Sequence, residues 1–269
     1  MNASRIHVLP DELVNQIAAG EVVESPASVV KELVENAVDA GASLVVVEFE
    51  RGGLERVRVI DDGGGMAPDE AVIALRRHAT SKIVRAEDLD LIRTMGFRGE
   101  ALPSIASVSR FSLVTRRSED DVGIRVDALN GMLETRPEAC PRGTAVTVDD
   151  LFFNVPARLK FQKGLREQSA AVSNVVVKAA LAWPGIHFVL QSGGRRIQDL
   201  PPCVRFSDRV ASVFGRDATG GLLELDLDND GIRVTGVIAP PNVVRGDPSR
   251  IVFLVNDRPV ADMALRRAV

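Results

Sequence analysis

Three carboxylates and one amide recur within a single short stretch, Ser25-Pro-Ala-Ser-Val-Val-Lys-Glu-Leu-Val-Glu-Asn-Ala-Val-Asp-Ala-Gly41. At helical spacing, Glu32, Glu35, Asn36 and Asp39 share one side, with Lys31 as the nearby cation. Such a set repels itself unless something cationic sits against it. The amide oxygen of Asn36 suits Mg²⁺, a hard cation that takes oxygen ligands and keeps several waters of its own. Glu32, one turn earlier, is placed to orient and deprotonate a water for attack on a terminal phosphate. A further carboxylate, Asp61, begins Asp61-Asp62-Gly63-Gly64-Gly65-Met66 and can accept a hydrogen bond from an exocyclic amine such as that of adenine. Three glycines in a row after a strand are costly in backbone entropy, so the main chain there is expected to approach another group closely. Thr144, following Arg142-Gly143, offers a second hydroxyl contact to a base. Singly, these features also suit a solvated helix face and a tight loop; their joint occurrence in this order points to a nucleotide.

The elements that must hold these groups can be read from hydrophobic period and turn residues. Ser25 is a capping residue, Pro26 suits a first helical turn, and Gly41 suits the residue after a helix end. Val30, Leu33, Val34 and Ala37 form the buried stripe of that helix. Leu44 to Glu50 and Leu54 to Ile60 read as strands joined at Gly52-Gly53, and Pro68 to Arg77 as a helix. A second glycine cluster, Met95 to Leu102, frames Arg98 and opens a helix from Glu100 to Ala106. With Lys82 it reads as a lid whose backbone amides receive phosphate oxygens, or else as a long loop. From Val108 the period becomes two, giving antiparallel strands at Val108 to Arg116, Val122 to Leu129, Met132 to Pro137 and Thr144 to Asp149. A long helix, Arg166 to Ala182, precedes strands at Ile186 to Gln191 and Arg195 to Leu200, and Pro201-Pro202 marks a boundary. A linking helix, Arg205 to Phe214, leads to strands at Leu222 to Leu227, Ile232 to Ala239 and Ile251 to Val255, then to a helix from Val260.

Composition narrows the classes. At 269 residues, one large domain and part of a second are expected. With 45% hydrophobic residues and no tyrosine, the core must be built from Val, Leu, Ile and Ala. A net charge of −4 argues against a uniformly basic nucleic-acid binder but permits local basic patches. Cys140 and Cys203 have no CxxC spacing and His7, His78 and His187 are scattered, which speaks against zinc and disulfides. No long apolar run suggests a signal peptide or a membrane span.

Glu32 to Asn36, Asp61-x-Gly63-x-Gly65, Gly96-Phe-Arg-Gly-Glu100 and Arg142-Gly-Thr144 resemble the four ordered motifs of the gyrase, heat-shock chaperone, histidine kinase and MutL ATPase superfamily. Within it, Gln16-Ile-Ala-Ala-Gly-Glu-Val-Val23, Arg77-His-Ala-Thr-Ser-Lys82, Gly96-Phe-Arg-Gly-Glu-Ala-Leu102 and Asn154-x-Pro-Ala-Arg158 with Lys160-Phe161 resemble the MutL mismatch-repair family. The resemblance implies an α+β class: a layered Bergerat-type ATP-binding fold, with helices on one face of a mixed, largely antiparallel sheet. It implies an ATP-binding domain over residues 1–203, with an N-terminal arm and a lid at about 78–102. A ribosomal-protein-S5-like transducer domain is expected to start at 204 and to be incomplete by 269.

By position, Glu32 resembles the general base, Asn36 the Mg²⁺ ligand, Asp61 the adenine contact and Thr144 its support, with Gly63 and Gly65 in the glycine turn. Lys82, Gly96, Phe97, Arg98, Gly99, Glu100, Ala101 and Leu102 match the lid. The implied cofactors are ATP and Mg²⁺. The implied activity is a slow Mg-dependent ATPase in which ATP orders the lid and arm and pairs the chain with a second copy. Implied partners are DNA, the mismatch-recognition protein MutS and a downstream repair nuclease or helicase. The implied location is the bacterial cytosol or nucleoid, with no membrane. Arg258, in Val255-Asn-Asp-Arg-Pro259, resembles an arginine used on DNA, and Arg158 and Lys160 are further DNA candidates. Two departures stand out: the family's later Asn-Val-His-Pro-x-Lys motif is absent, so weak hydrolysis is expected, and Asp62 replaces a frequent Asn. The alternatives are a nucleotide-regulated scaffold with incidental hydrolysis, and a topoisomerase subunit or chaperone; the Gly96 to Leu102 and Asn154 to Phe161 segments disfavour the latter two.

Overall fold

Helix α1, Pro26–Asp39, carries the acidic stretch, and local bonds fix both of its ends. Ser25 Oγ accepts the Ser28 N–H at 3.3 Å while Ser28 Oγ accepts the Ser25 N–H at 2.9 Å, a reciprocal cap that satisfies two donors of the first turn. At the far end the Gly41 N–H reaches Val38 O at 2.9 Å and the Ala42 N–H reaches Ala37 O at 3.1 Å, closing the last carbonyls. Between these caps Val30, Leu33, Val34 and Ala37 are buried, as their spacing predicts, and Pro26 and Val29 join them. The structure is a computed structural model that describes residues 19–20, 22–82, 95, 99–215, 221–240 and 250–268. The expectations for the N-terminal arm before residue 19 and for Gly96, Phe97 and Arg98 lie outside the described residues.

The stripe of α1 rests on an eight-stranded sheet. Its strands are β1 Leu44–Glu50, β2 Arg56–Asp61, β3 Arg110–Arg116, β4 Gly123–Leu129, β5 Met132–Glu138, β6 Gly143–Asp149, β7 His187–Ser192 and β8 Arg195–Leu200, in the order β5-β4-β3-β6-β2-β1-β7-β8. Neighbours are antiparallel except β1 and β7, which run parallel. Alternation explains why the layers form on one side. Val45, Val47, Phe49, Val57, Val59, Phe111, Leu113, Val146 and Val148 point into the core, where they meet α1 and helix α5, Leu165–Ala182, through Val172, Val176 and Ala179. The residues between them carry charges that pair across strands on the outer face, as in Arg56–Asp149 at 2.7 Å and Arg58–Glu48 at 3.3 Å. The mixed, largely antiparallel α+β architecture expected from the sequence is therefore present.

Three short helices border the sheet: α2 Pro68–Ile73, α3 Ala101–Ser107 and α4 Pro156–Lys160. After α5, helix α6, Phe206–Phe214, packs back on α5 and β8. Its fully buried Arg209 donates from Nη2 to Pro184 O at 2.8 Å and to Ile186 O at 2.9 Å. The remainder comprises a hairpin of β9 Leu223–Asn229 with β10 Ile232–Ile238, a hairpin of β11 Phe253–Val255 with β12 Arg258–Val260, and helix α7 Met263–Ala268. Among the described residues no helix is long and apolar enough to cross a membrane.

Several elements differ from the reading by period: α4 was not anticipated, and the last helix begins at Met263 and not at Val260, which closes β12. The second strand begins at Arg56 and not at Leu54, because Arg51–Gly53 forms a 3₁₀ turn whose Leu54 N–H bonds back to Arg51 O at 3.4 Å. The helix read over 68–77 stops at Ile73, and the tighter bonds Leu75 N–H to Val72 O and Arg76 N–H to Ile73 O continue it. Strand β12 was not anticipated; Asn256 and Asp257 take positive φ of 49° and 61°, the paired left-handed geometry of a two-residue hairpin turn. The cap at Ser25 should be separable from the chemistry: Ser25→Ala should lower stability by about 1 kcal/mol in denaturant unfolding.

Candidate functional site

The side of α1 away from the core forms one wall of a cleft of about 1320 Å³. Glu32, Glu35, Asn36 and Asp39 stand on that wall, and Asp61, Gly64, Gly65, Met66 and Thr144 face them. Gly99, Glu100, Ala101, Leu102 and Lys82 border the opening. The acidic residues are not a solvated face, since the side chains of Glu32, Glu35 and Asp39 are only 25%, 15% and 9% exposed.

Two lysines answer their mutual repulsion. Lys31 Nζ lies 3.6 Å from both Glu32 Oε1 and Glu35 Oε1. Lys82 Nζ reaches Asn36 Oδ1 at 3.1 Å and Asp39 Oδ2 at 2.5 Å, and Asp39 Oδ1 accepts the Met95 N–H at 3.0 Å. Burial pushes the Glu35 carboxyl above its ordinary pKa; Lys31 opposes this, Glu32 adds to it, and the charge of Arg258 draws it slightly back. An ammonium thus already sits where a hard cation would meet Asn36 Oδ1. Among the described residues no three His, Cys, Asp or Glu side chains gather into a metal-holding group. That donor set fits a Mg²⁺ held by one amide oxygen together with phosphate and water oxygens.

Opposite α1, the ends of β2 and β6 present the second half of the site. Asp61 and Thr144 are registered cross-strand partners, and Val59, Leu113 and Val146 form an apolar floor beside them. The carboxyl of Asp61 is raised to about 6, chiefly by burial, against the pull of backbone N–H donors from Gly63 and Thr144. The neighbouring Asp62 points elsewhere: its Oδ1 accepts the Ser43 N–H at 2.7 Å and the Leu44 N–H at 2.8 Å, tying the end of β2 to the start of β1.

The glycines make their close approaches to the protein's own main chain. Gly65, at φ +72°, leaves its missing Cβ 2.1 Å from Arg116 O, and Gly143 leaves its own 2.0 Å from Asp61 O. A side chain at either position would force the turn away from β3, or β6 away from β2. Gly63 braces against Ala40, which also lines the cleft. Arg142 Nε donates to Gly63 O at 3.1 Å, so the Arg142-Gly-Thr144 segment locks the glycine turn and presents Thr144 in one stroke.

Of the remaining candidates, Lys160 is exposed on α4, and the guanidinium of Arg158 lies against Gly20, where a Cβ would collide with it. Arg258 opens β12, near enough to α1 for its charge to act on Glu35. None of these three lines the cleft. Asp39 and Lys31 take the places in the acidic set that their spacing gave them, while the buried Thr115 contributes to the site without a role in the sequence reading.

Comparison with known proteins agrees with this fold. Residues 23–134 match the family model for histidine kinase-, DNA gyrase B- and HSP90-like ATPases, and residues 210–269 match that for the C-terminal domain of DNA mismatch repair proteins. The chain is 52% identical over 266 residues to the DNA mismatch repair protein MutL of Anaeromyxobacter sp. (strain K), and 50% identical over 267 residues to that of Symbiobacterium thermophilum. Among solved structures, the Aquifex aeolicus MutL ATPase domain complexed with ADP superposes with a TM-score of 0.72 at 32% identity, covering 91% of this chain and 87% of that one. The chain belongs to the MutL family. It aligns over 98% of its own residues but spans only 44% of the length of the Anaeromyxobacter MutL. A second structure, described as the N-terminal domain of a DNA repair protein, gives a TM-score of 0.79 at 27% identity over 94% of this chain and 79% of that one.

The raised carboxyl makes this MutL-family cleft pH-sensitive in a defined direction. Because folding lifts the Asp61 pKa from 3.8 to about 6, the folded chain holds that proton more tightly than the unfolded chain. The stability it lends is complete below 3.8 and is lost as pH rises through about 6. Asp61→Asn should therefore gain about 2 kcal/mol of unfolding free energy at pH 8, the ionisation cost less one lost backbone hydrogen bond. No gain is expected at pH 4, and unfolding in denaturant at the two pH values checks this.

Proposed function

We propose that this chain is the ATP-binding and slowly hydrolysing part of a DNA mismatch-repair switch, in which nucleotide-dependent pairing of two copies is coupled to DNA and partner binding. The observation that carries the reading is the meeting, in one cleft, of an acidic helix wall with the Asp61–Thr144 pair across an apolar floor. An adenine fits the second half by its amine on Asp61 and its ring over Val59, Leu113 and Val146. A triphosphate then runs towards α1, where Asn36 would hold Mg²⁺, whose charge supports the phosphates when bound. Glu32 orients the attacking water and takes its proton, while Lys31 steadies the Glu32 carboxylate. Lys82, drawn from Asn36 and Asp39, is free to meet phosphate oxygens instead.

The border between the ATP-binding and transducer domains falls near 203–204 in this reading. Arg258, Lys160 and Arg158 are the proposed DNA contacts, acting through phosphate neutralisation. MutS and a repair nuclease or helicase are the proposed protein partners, and the bacterial cytosol or nucleoid the proposed setting.

Glu32→Ala should keep ATP affinity within about threefold while hydrolysis falls about a hundredfold or more; unchanged turnover would exclude Glu32 as the base. Arg258→Glu should weaken DNA binding and lower the magnitude of its salt slope by about one. ATP affinity should stay within about twofold of wild type, and intact DNA binding removes Arg258 from the interface.

A further inference from the structure

Asp39 is the most enclosed carboxylate of the α1 wall, and its two oxygens serve two different segments. Oδ1 accepts the Met95 N–H at 3.0 Å, and Oδ2 lies 2.5 Å from Lys82 Nζ. Lys82 is fixed from behind, since its own N–H donates to Thr80 Oγ1 at 3.1 Å. An ammonium has three protons to place; this one gives one to Asp39 and another to Asn36 Oδ1 at 3.1 Å. Asn36, Asp39, Lys82 and Met95 all line the cleft. Asn36 Oδ1 is also the oxygen that suits a hard cation, which sits about 2.0–2.1 Å from its ligands. An ammonium and a divalent ion cannot share it, because two like charges that close repel. The two acceptors of Lys82 differ in kind: Asn36 is neutral and Asp39 is charged, so the ammonium leaves the amide more readily than the carboxylate. Asp39 therefore decides where Lys82 stays.

We propose that Lys82 is a resident counter-ion of the α1 wall that competes with a divalent metal for Asn36, and that Asp39 is the positioning residue that keeps it there. The inference rests on the nucleotide reading and deepens it. Against a metal arriving alone, Lys82 holds the amide, having no phosphate to move to. Against a metal arriving with a nucleotide, Lys82 has phosphate oxygens to move to, and Asp39 remains within reach. The lysine thus favours the metal–nucleotide pair over the bare ion, and the acidic wall does not collect cations by itself.

Mn²⁺ binding without nucleotide, followed by electron paramagnetic resonance, tests this on wild type and on the double variant Asp39→Asn with Lys82→Met. The double variant removes the ion pair, leaves the net charge of the wall unchanged and strands no buried charge. It should bind Mn²⁺ about tenfold more tightly than wild type, about the strength of one competing hydrogen bond. Adding Asn36→Ala should return the wild-type affinity. If that pair does not fold, Asp39→Asn with Lys82→Gln, whose amides can bond each other, replaces it. The hold of Asp39 is read separately by NMR: in Asp39→Asn the Lys82 ammonium protons should exchange with water about tenfold faster than in wild type. Equal Mn²⁺ affinity in wild type and double variant, or a gain that survives Asn36→Ala, overturns the competition. Unchanged proton exchange removes Asp39 from the positioning role. Failure of wild type to bind ADP with Mg²⁺ in calorimetry overturns the nucleotide reading itself, whatever the Mn²⁺ result.

Discussion

The site depends on a carboxyl group kept out of water at the end of a central strand. Asp61 is desolvated enough to hold its proton up to about pH 6, even though backbone N–H groups of Gly63 and Thr144 favour its charged form. Such a group is a liability to the folded state unless a ligand supplies a donor. The surrounding glycines follow from the same constraint. Gly143 lets β6 come close enough to β2 for the Thr144 N–H to reach the carboxyl, and Gly65 lets the turn that delivers the Gly63 N–H fold down on β3. Strand, turn and carboxyl are thus one device, built before any nucleotide arrives.

Helix α1 meets the opposite demand, since it holds several charges where Asp61 holds one. Its stripe is committed to the core, which fixes the rotation of the helix and leaves Glu32, Glu35, Asn36 and Asp39 no choice but to face the cleft. Lys31 and Lys82 make that tolerable at short range. Lys82 bonds Asn36 as well as Asp39, so charge balance at α1 and the position of Lys82 are linked. A wall that needs positive charge thus stands opposite a carboxyl that needs a donor.

Much of this was legible in the sequence because it obeys short-range rules. The ends of α1, all eight strands of the main sheet and the convergence of Glu32, Asn36, Asp61 and Thr144 follow from caps, alternation and ordered motifs. The glycine run was read as an approach to another group, and the groups proved to be the backbone of Arg116, against Gly65, and of Ala40, against Gly63, both remote in sequence. Thr115 gave no signal at all, because an isolated threonine in an alternating strand looks like any other; only its register with Thr144 shows its place. Lys82 was assigned to the lid by resemblance, but its bonds to Asn36 and Asp39 depend on side-chain reach that no spacing encodes.

The parallel pairing of β1 with β7 has a cost in time. Leu44 pairs with His187, so the edge of β1 that faces β7 stays unpaired while all the intervening polypeptide is synthesised. Closing so long a loop is slow, and an open apolar strand edge invites wrong pairing in the interval. Helix α5, which packs on α1 and immediately precedes β7, leaves the ribosome just before the strand that seals the gap. A nascent chain of this protein therefore holds a nearly finished nucleotide cleft beside an unguarded edge, and the vulnerable moment of its biogenesis comes late.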